Sequence, residues 1–275
     1  MQTYGIKFEF TQIFVILKGM YIAHLKNIKV YTKNFLFSLI SYPAQVFMFF
    51  FLWSAILSTT TLVGVTSEDL LAYYLLAFLI ERLTGNRRVT DNLEEEIVTG
   101  KMVIYFVRPV PIYSNHLAEY FSQLTINTIL MGPIALVLLE LLTPSKVLLT
   151  IPNLIFFTII IFLSGLCQFL LFFIIGLLAF WLERVWGIRM GFYWINSFLS
   201  GRLIPLYLFP VFLNDMVQIL PFRFFTYELI MILLTPITVS VLEDILFLGL
   251  WLLLLTVLAW ALLNKGSQKF VGYGV

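Results

Sequence analysis

Residues 86–111 read NRRVTDNLEEEIVTGKMVIYFVRPVP, and the fold of the whole chain turns on this run. It holds four of the fifteen acidic residues and four of the seventeen basic ones, and long apolar stretches flank it on both sides. Hydrophobic residues make up 61% of the 275 positions, charged residues only 12%, and the mean hydropathy is +0.98. Soluble domains are far more polar than this. The chain therefore reads as an all-α integral membrane protein, and the charged run is a loop held in water.

A hydrocarbon core about 30 Å thick takes roughly 20 apolar residues per helical crossing. Five crossings are clear, at about 35–57, 69–85, 115–142, 151–182 and 244–263, and a sixth at about 188–213 is interrupted. The gaps leave no room for a soluble domain of the usual ~100 residues, so residues 1–275 read as one membrane domain. Lysine and arginine collect on cytoplasmic flanks. With six crossings and both ends on one side, that side holds fourteen of the seventeen, leaving Lys146, Arg202 and Arg223 opposite. Both termini and the charged loop are thus expected in the cytoplasm.

Ahead of the first crossing, residues 1–33 place Phe10, Ile13, Phe14, Leu17, Tyr21, Leu25 and Ile28 on one side of a helix. Lys18, Lys26, Lys29 and Lys33 lie toward the other, the pattern of a segment lying in the membrane surface. Apolar residues spread in this way are not a signal peptide. The segment is an anchor, a contact for a cytoplasmic partner, or both.

Several chemistries lack their residues. Cys167 is the single cysteine, set within an apolar stretch, and reads as packing. His24 and His116 are the only histidines, and no Cys/His cluster or HExxH arrangement offers a metal site. His116 and Glu119, at i and i+3, read as a local interfacial pair. No GxxxxGK[ST] loop is present to cradle a nucleotide and no GxSxG elbow to carry a nucleophile. Nothing suggests nucleic acid as a partner. Energy for any transport must come from another protein or from an ion gradient.

Residues 201–236, GRLIPLYLFPVFLNDMVQILPFRFFTYELIMILLTP, are apolar but punctuated by Pro205, Pro210, Pro221 and Pro236. Proline breaks helices, and irregular backbone at membrane depth survives only where protein or water covers it. The expectation is a span at about 188–204, then short helices over 205–236 that dip into the outer leaflet, with Arg202, Asp215 and Arg223 at the outer rim.

Taken in order, Ile97-Val-Thr-Gly100, Arg108-Pro109-Val110, Gly201-Arg202 with Pro205 and Phe209-Pro210, and Leu220-Pro221-Phe222 resemble the membrane subunits of type-2 ABC exporters. The small bacterial branch of that family is the nearest in pattern. The resemblance implies six transmembrane helices, an interfacial helix at the start, outer re-entrant helices before the last span, and a coupling helix in the first cytoplasmic loop, over 86–112, that docks on a separate ATPase. Here the coupling helix matches about Arg87 to Val98. Arg87, Arg88, Asp91, Glu94, Glu95 and Glu96 would face the partner's charges, and Val89, Leu93 and Ile97 would form an apolar docking stripe. Gly100 would end the helix as a left-handed cap. Arg108-Pro109 would be a helix stop at the headgroups or a hinge into the third span.

The resemblance also implies two ATPase subunits that bind ATP and Mg, a second permease, identical or homologous, and placement in a bacterial inner membrane. This chain itself would bind no cofactor. Aromatic residues make up 17% of the chain. In the spans, around Trp53 and Trp194, they suit a hydrophobic, amphipathic or lipophilic-cation cargo moving outward, or else lipid-facing packing. Pro205, Pro210, Pro221, Phe222 and Arg202 mark the outer segment. A proton- or sodium-driven carrier is the alternative; it would need an ionisable group deep in a span, and Glu119, a possible cargo contact, is the candidate.

Overall fold

The computed structural model describes residues 10–26, 28–59, 66–85, 88–107, 112–144, 146–236 and 241–269. These are mostly helical, with no strand among them. The helices are α1 (Phe10–Lys26), α2 (Ile28–Thr59), α3 (Ser67–Thr84), α4 (Arg88–Val98), α5 (Val103–Val107), α6 (Ile112–Leu142), α7 (Ile151–Leu177), α8 (Trp186–Leu199), α9 (Val211–Ile219), α10 (Tyr227–Leu234) and α11 (Val241–Lys269). Short 3₁₀ turns cover Leu178–Phe180, Leu206–Leu208 and Pro221–Phe225. Arg87, Arg108 and Pro109 lie outside the described residues.

Among the described residues, three helical stretches are long and apolar enough to cross a membrane: Ile112–Leu142, Ile151–Phe180 and Leu242–Lys269. A shorter apolar stretch runs over Ile40–Ile56 within α2. On α11 the side chains of Leu246, Leu250, Leu253, Val257 and Trp260 are each more than half exposed. A continuous apolar face of that kind is stable only against hydrocarbon or another protein. The opposite face of α11 packs on α7, where Cys167 is buried with its Sγ 3.9 Å from the Leu248 carbonyl.

α3 is the hub, with α2, α6 and α10 packed around it. Every residue from Leu70 to Ile80 is buried. Protein, not lipid, surrounds that stretch, which suits the partly buried Glu81 and Arg82 at its far end, while Glu68 and Asp69 sit at the exposed start of the helix. Its start is fixed by a capping box, in which the Asp69 amide donates to Thr66 Oγ1 (3.2 Å) and the Thr66 amide to Asp69 Oδ2 (3.0 Å). Lys146 donates to Asp69 Oδ1 (2.7 Å), and that bond holds its ammonium above the ordinary lysine range. At the other end Arg82 donates to Ser41 Oγ (2.9 Å) and Gln45 Oε1 (3.1 Å) on α2, while Asn127 of α6 donates to the Arg82 carbonyl (2.7 Å).

The prolines after α8 act as the sequence suggests. Pro205 precedes a 3₁₀ turn, Pro210 precedes α9, and Pro221 opens another 3₁₀ turn, all places where a missing backbone donor costs little. α8 is shorter than expected, ending at Leu199. Gly201, at φ +82°, then turns the chain, and the Tyr227 amide bonds back to the Ser200 carbonyl (3.0 Å).

Arg202 departs from expectation. It is not at a rim but buried, with Nη1 3.0 Å from Glu81 Oε1 on α3, Nη2 donating to Ser197 Oγ, and its guanidinium 4.8 Å from the Tyr193 ring centroid. Tyr73 and Tyr74 of α3 hold the same turn, donating to the Gly201 carbonyl (2.7 Å) and the Leu203 carbonyl (3.1 Å). A buried guanidinium needs a carboxylate and donors' partners close by, and α3 together with the C-terminal half of α8 supplies them. Arg223, by contrast, is only part-buried, between Glu228 (3.5 Å) and Asp244 (3.1 Å).

Candidate functional site

The charged loop folds back onto the bundle through α4. Its sequence RVTDNLEEEIV gives one apolar edge, Val89, Leu93 and Ile97, and all three are buried within the chain. That edge lies on α7 and is not open for an outside partner. Two features of α7 bring it there. Thr90 Oγ1 donates to the Phe172 carbonyl (2.8 Å), and Gly176 leaves room for Leu93; a Cβ on Gly176 would sit 2.9 Å from Leu93 Cδ2.

A second edge of α4 is tied to α6 by polar groups. Asn92 donates both ways to the Glu119 carboxylate (2.9 and 3.0 Å). Glu96 Oε2 lies 3.0 Å from His116 Nε2, and Tyr105 of α5 donates to Glu96 Oε1 (3.0 Å). Asn115 donates to the Tyr105 hydroxyl (3.0 Å), and its Oδ1 faces His24 Nε2 of α1 at 3.4 Å. Both histidines thus stand in one network. Burial, reinforced by Glu96, pushes the Tyr105 phenol well above its ordinary range, so it stays a neutral donor. The expected i, i+3 pairing of His116 with Glu119 is present only as a 3.9 Å approach. Glu119, a possible cargo contact, lies buried with its carboxylate facing Asn92.

A third tie runs to α8, where Arg189 Nη1 donates to Asp91 Oδ2 (2.9 Å). α4 is therefore fixed to α6, α7 and α8 together. Gly100, at φ +76°, closes it, with the Met102 amide bonding back to the Glu96 carbonyl (2.9 Å). What remains outward is a continuous strip of Asp91, Glu95, Val98 and Thr99, followed by Lys101, Val103 and Ile104. Glu95 pairs with Lys101 within it. Glu94 and Arg88 lie at its margins, partly exposed.

Replacing Asn92 by Leu leaves the Glu119 carboxylate without its donor. Such a loss costs about 1–3 kcal/mol and is expected as deuterium uptake at the α4 amides at least about fivefold faster; unchanged uptake would show that α7 alone seats the helix.

The other predicted positions are dispersed. Trp53 is buried against the bundle and Trp194 is more than half exposed on α8. Pro205 and Pro221 are buried, Pro210 is exposed, and Phe222 sits between Phe192 (5.9 Å, tilted) and Phe225 (5.8 Å, edge-on). Among the described residues no group of His, Cys, Asp and Glu is placed to hold a metal. The Asn92–Glu119 and Glu96–His116 contacts were not read from the sequence. Their partners are 27 and 20 residues apart, and only the shared i, i+4 edge of Asn92 and Glu96 hinted at them.

Long apolar helices with an apolar outer face describe a multi-pass membrane protein. The chain belongs to the ABC-2 family transporter proteins, whose family model matches residues 43–274. Membership makes it a transport membrane domain without a nucleotide-binding site of its own, and implies an ABC ATPase as partner. A search of curated proteins finds no match.

Proposed function

We propose that this chain is the permease of an ATP-driven exporter and that α4 is its coupling helix. The whole chain, residues 1–275, forms one transmembrane domain of six spans in a bacterial inner membrane, with both termini and α4 in the cytoplasm. Two such permeases, identical or homologous, stand over two ATPase subunits that bind ATP and Mg. The observation that carries the reading is the seating of α4: a helix fastened to three others hands any push on its outer strip directly to the bundle. The ATPase-facing surface on this reading is Asp91, Glu95, Val98 and Thr99, with Lys101, Val103 and Ile104. The stripe first expected to dock is the part that fastens the helix instead.

An apolar, amphipathic or lipophilic-cation cargo fits the uncovered aromatics Phe47 and Phe51 on α2 and Trp194 on α8, which offer ring faces and little hydrogen bonding. The short helices over 205–236 form the outer end of the path, dipping into the outer leaflet, and Arg108-Pro109 marks the return into α6. The alternative, a gradient-driven carrier, would use Glu119, whose carboxylate accepts from Asn92.

The test uses the permease purified with its ATPase and reconstituted in liposomes. Reversing and charging the outer strip with Glu95→Lys and Val98→Asp is expected to weaken ATPase binding by about tenfold or more and to abolish ATP-dependent efflux of a lipophilic cation. Movement of that cation with no ATPase present would overturn the reading.

A further inference from the structure

Where α1 crosses α6, an open crevice of about 320 Å³ lies between Leu17, Lys18 and Tyr21 on one side and Leu117, Ala118 and Phe121 on the other. Its walls are apolar. Tyr21 adds only its ring, because its hydroxyl donates to Thr125 Oγ1 (2.8 Å). Along α6 the floor is bracketed by Asn115, which meets His24, and by Thr125. A space without polar partners does not hold ordered water, but it accepts a hydrocarbon chain.

Charge decides what kind of chain. Between Glu9 and Glu68 the sequence has no acidic residue, yet it contains Lys18, Lys26, Lys29 and Lys33. Lys18 lines the crevice and is itself exposed, as is Lys26 two turns on. A lysine beside a hydrocarbon slot, with no carboxylate on its own helix to neutralise it, suits an anionic headgroup whose tail fills the slot. We infer that the α1–α6 crevice is a binding site for an anionic phospholipid, with one acyl chain against Leu117, Ala118 and Phe121 and the phosphate at Lys18. The site does not depend on the direction of transport or on the ATPase. Through His24–Asn115–Tyr105–Glu96 its occupant adjoins the network that seats α4.

The full chain is released from micelles holding equal phosphatidylglycerol and phosphatidylcholine, and retained lipid is read by native mass spectrometry. Phosphatidylglycerol is expected to be retained about fivefold over phosphatidylcholine, the factor one surface lysine contributes to an anionic headgroup. Lys18→Glu should erase that preference, while Lys265→Glu, the same charge change on α11, should leave it. Leu17→Trp, which fills the crevice, should lower retention of both lipids. A phosphatidylglycerol bearing a photoreactive acyl chain should label α6 between Tyr113 and Thr125 in the unaltered protein. Equal retention of the two lipids, an equal effect of Lys265→Glu, an unaffected Leu17→Trp variant, or label confined to other helices would each overturn the site.

Discussion

Arg202→Ala is expected to lower the stability of the folded chain by about 3–5 kcal/mol, the usual cost of removing one member of a buried ion pair. The loss would be read from sodium dodecyl sulfate titrations in mixed micelles. Arg202 is 5% exposed, and its guanidinium serves Glu81, Ser197 and the face of Tyr193 at once. Once it is gone, the Glu81 carboxylate loses that cation and keeps the Tyr193 hydroxyl at 3.4 Å. Part of the cost comes from the unbalanced charge and not from the lost attraction alone, and this gives the test its form. The double variant Glu81→Gln with Arg202→Met should be more stable than Arg202→Ala alone, although it removes more of the native chemistry. If the double variant instead costs the sum of two damaging singles, the pair contributes through packing and the electrostatic account fails.

Leu93→Ala is the second large effect. Leu93 is fully buried between α4 and α7, and truncating such a side chain costs about 2–5 kcal/mol. Because the cavity opens under α4 alone, the loss should fall on the seating of that helix: faster hydrogen exchange at residues 88–98, and ATP hydrolysis by the reconstituted complex no longer matched by transport. Gly176 forms the opposite wall. Gly176→Ala alone drives a methyl to within 2.9 Å of Leu93 Cδ2 and should cost about 1–3 kcal/mol as overpacking. Combined with Leu93→Ala, that methyl enters the space the leucine left, so the pair should lose less than the two singles summed. Strict additivity would mean that the two positions do not share a wall.

Much of this architecture is written openly in the sequence. The apolar windows of α6, α7 and α11 mark themselves by length, and Pro205, Pro210 and Pro221 announce short helices because proline is tolerated only where a backbone donor is dispensable. Gly100 likewise signals the end of α4. Which face of an apolar helix meets lipid and which meets protein is not written, since both surroundings are apolar; α3 reads like another span, and only its four charged residues betray that protein encloses it. The stripe of Val89, Leu93 and Ile97 states that α4 needs a cover but not whose, and the answer rests on a glycine some eighty residues away. The burial of Arg202 is hidden for a related reason. Its position beside prolines suggests a helix end near solvent, whereas the reach of its side chain to Glu81 depends on how α3 and α8 are packed.

The enclosure of α3 also bears on how the protein is made. A helix with no side suited to hydrocarbon gains little by leaving the translocation machinery alone, and its charged ends and tyrosine hydroxyls are satisfied by α2, α6, Lys146 and the turn after α8. Three of those partners are synthesised after it. α3 must therefore wait, at the edge of the bilayer or in the care of the insertion apparatus, until later parts of the chain emerge and give it a place to settle.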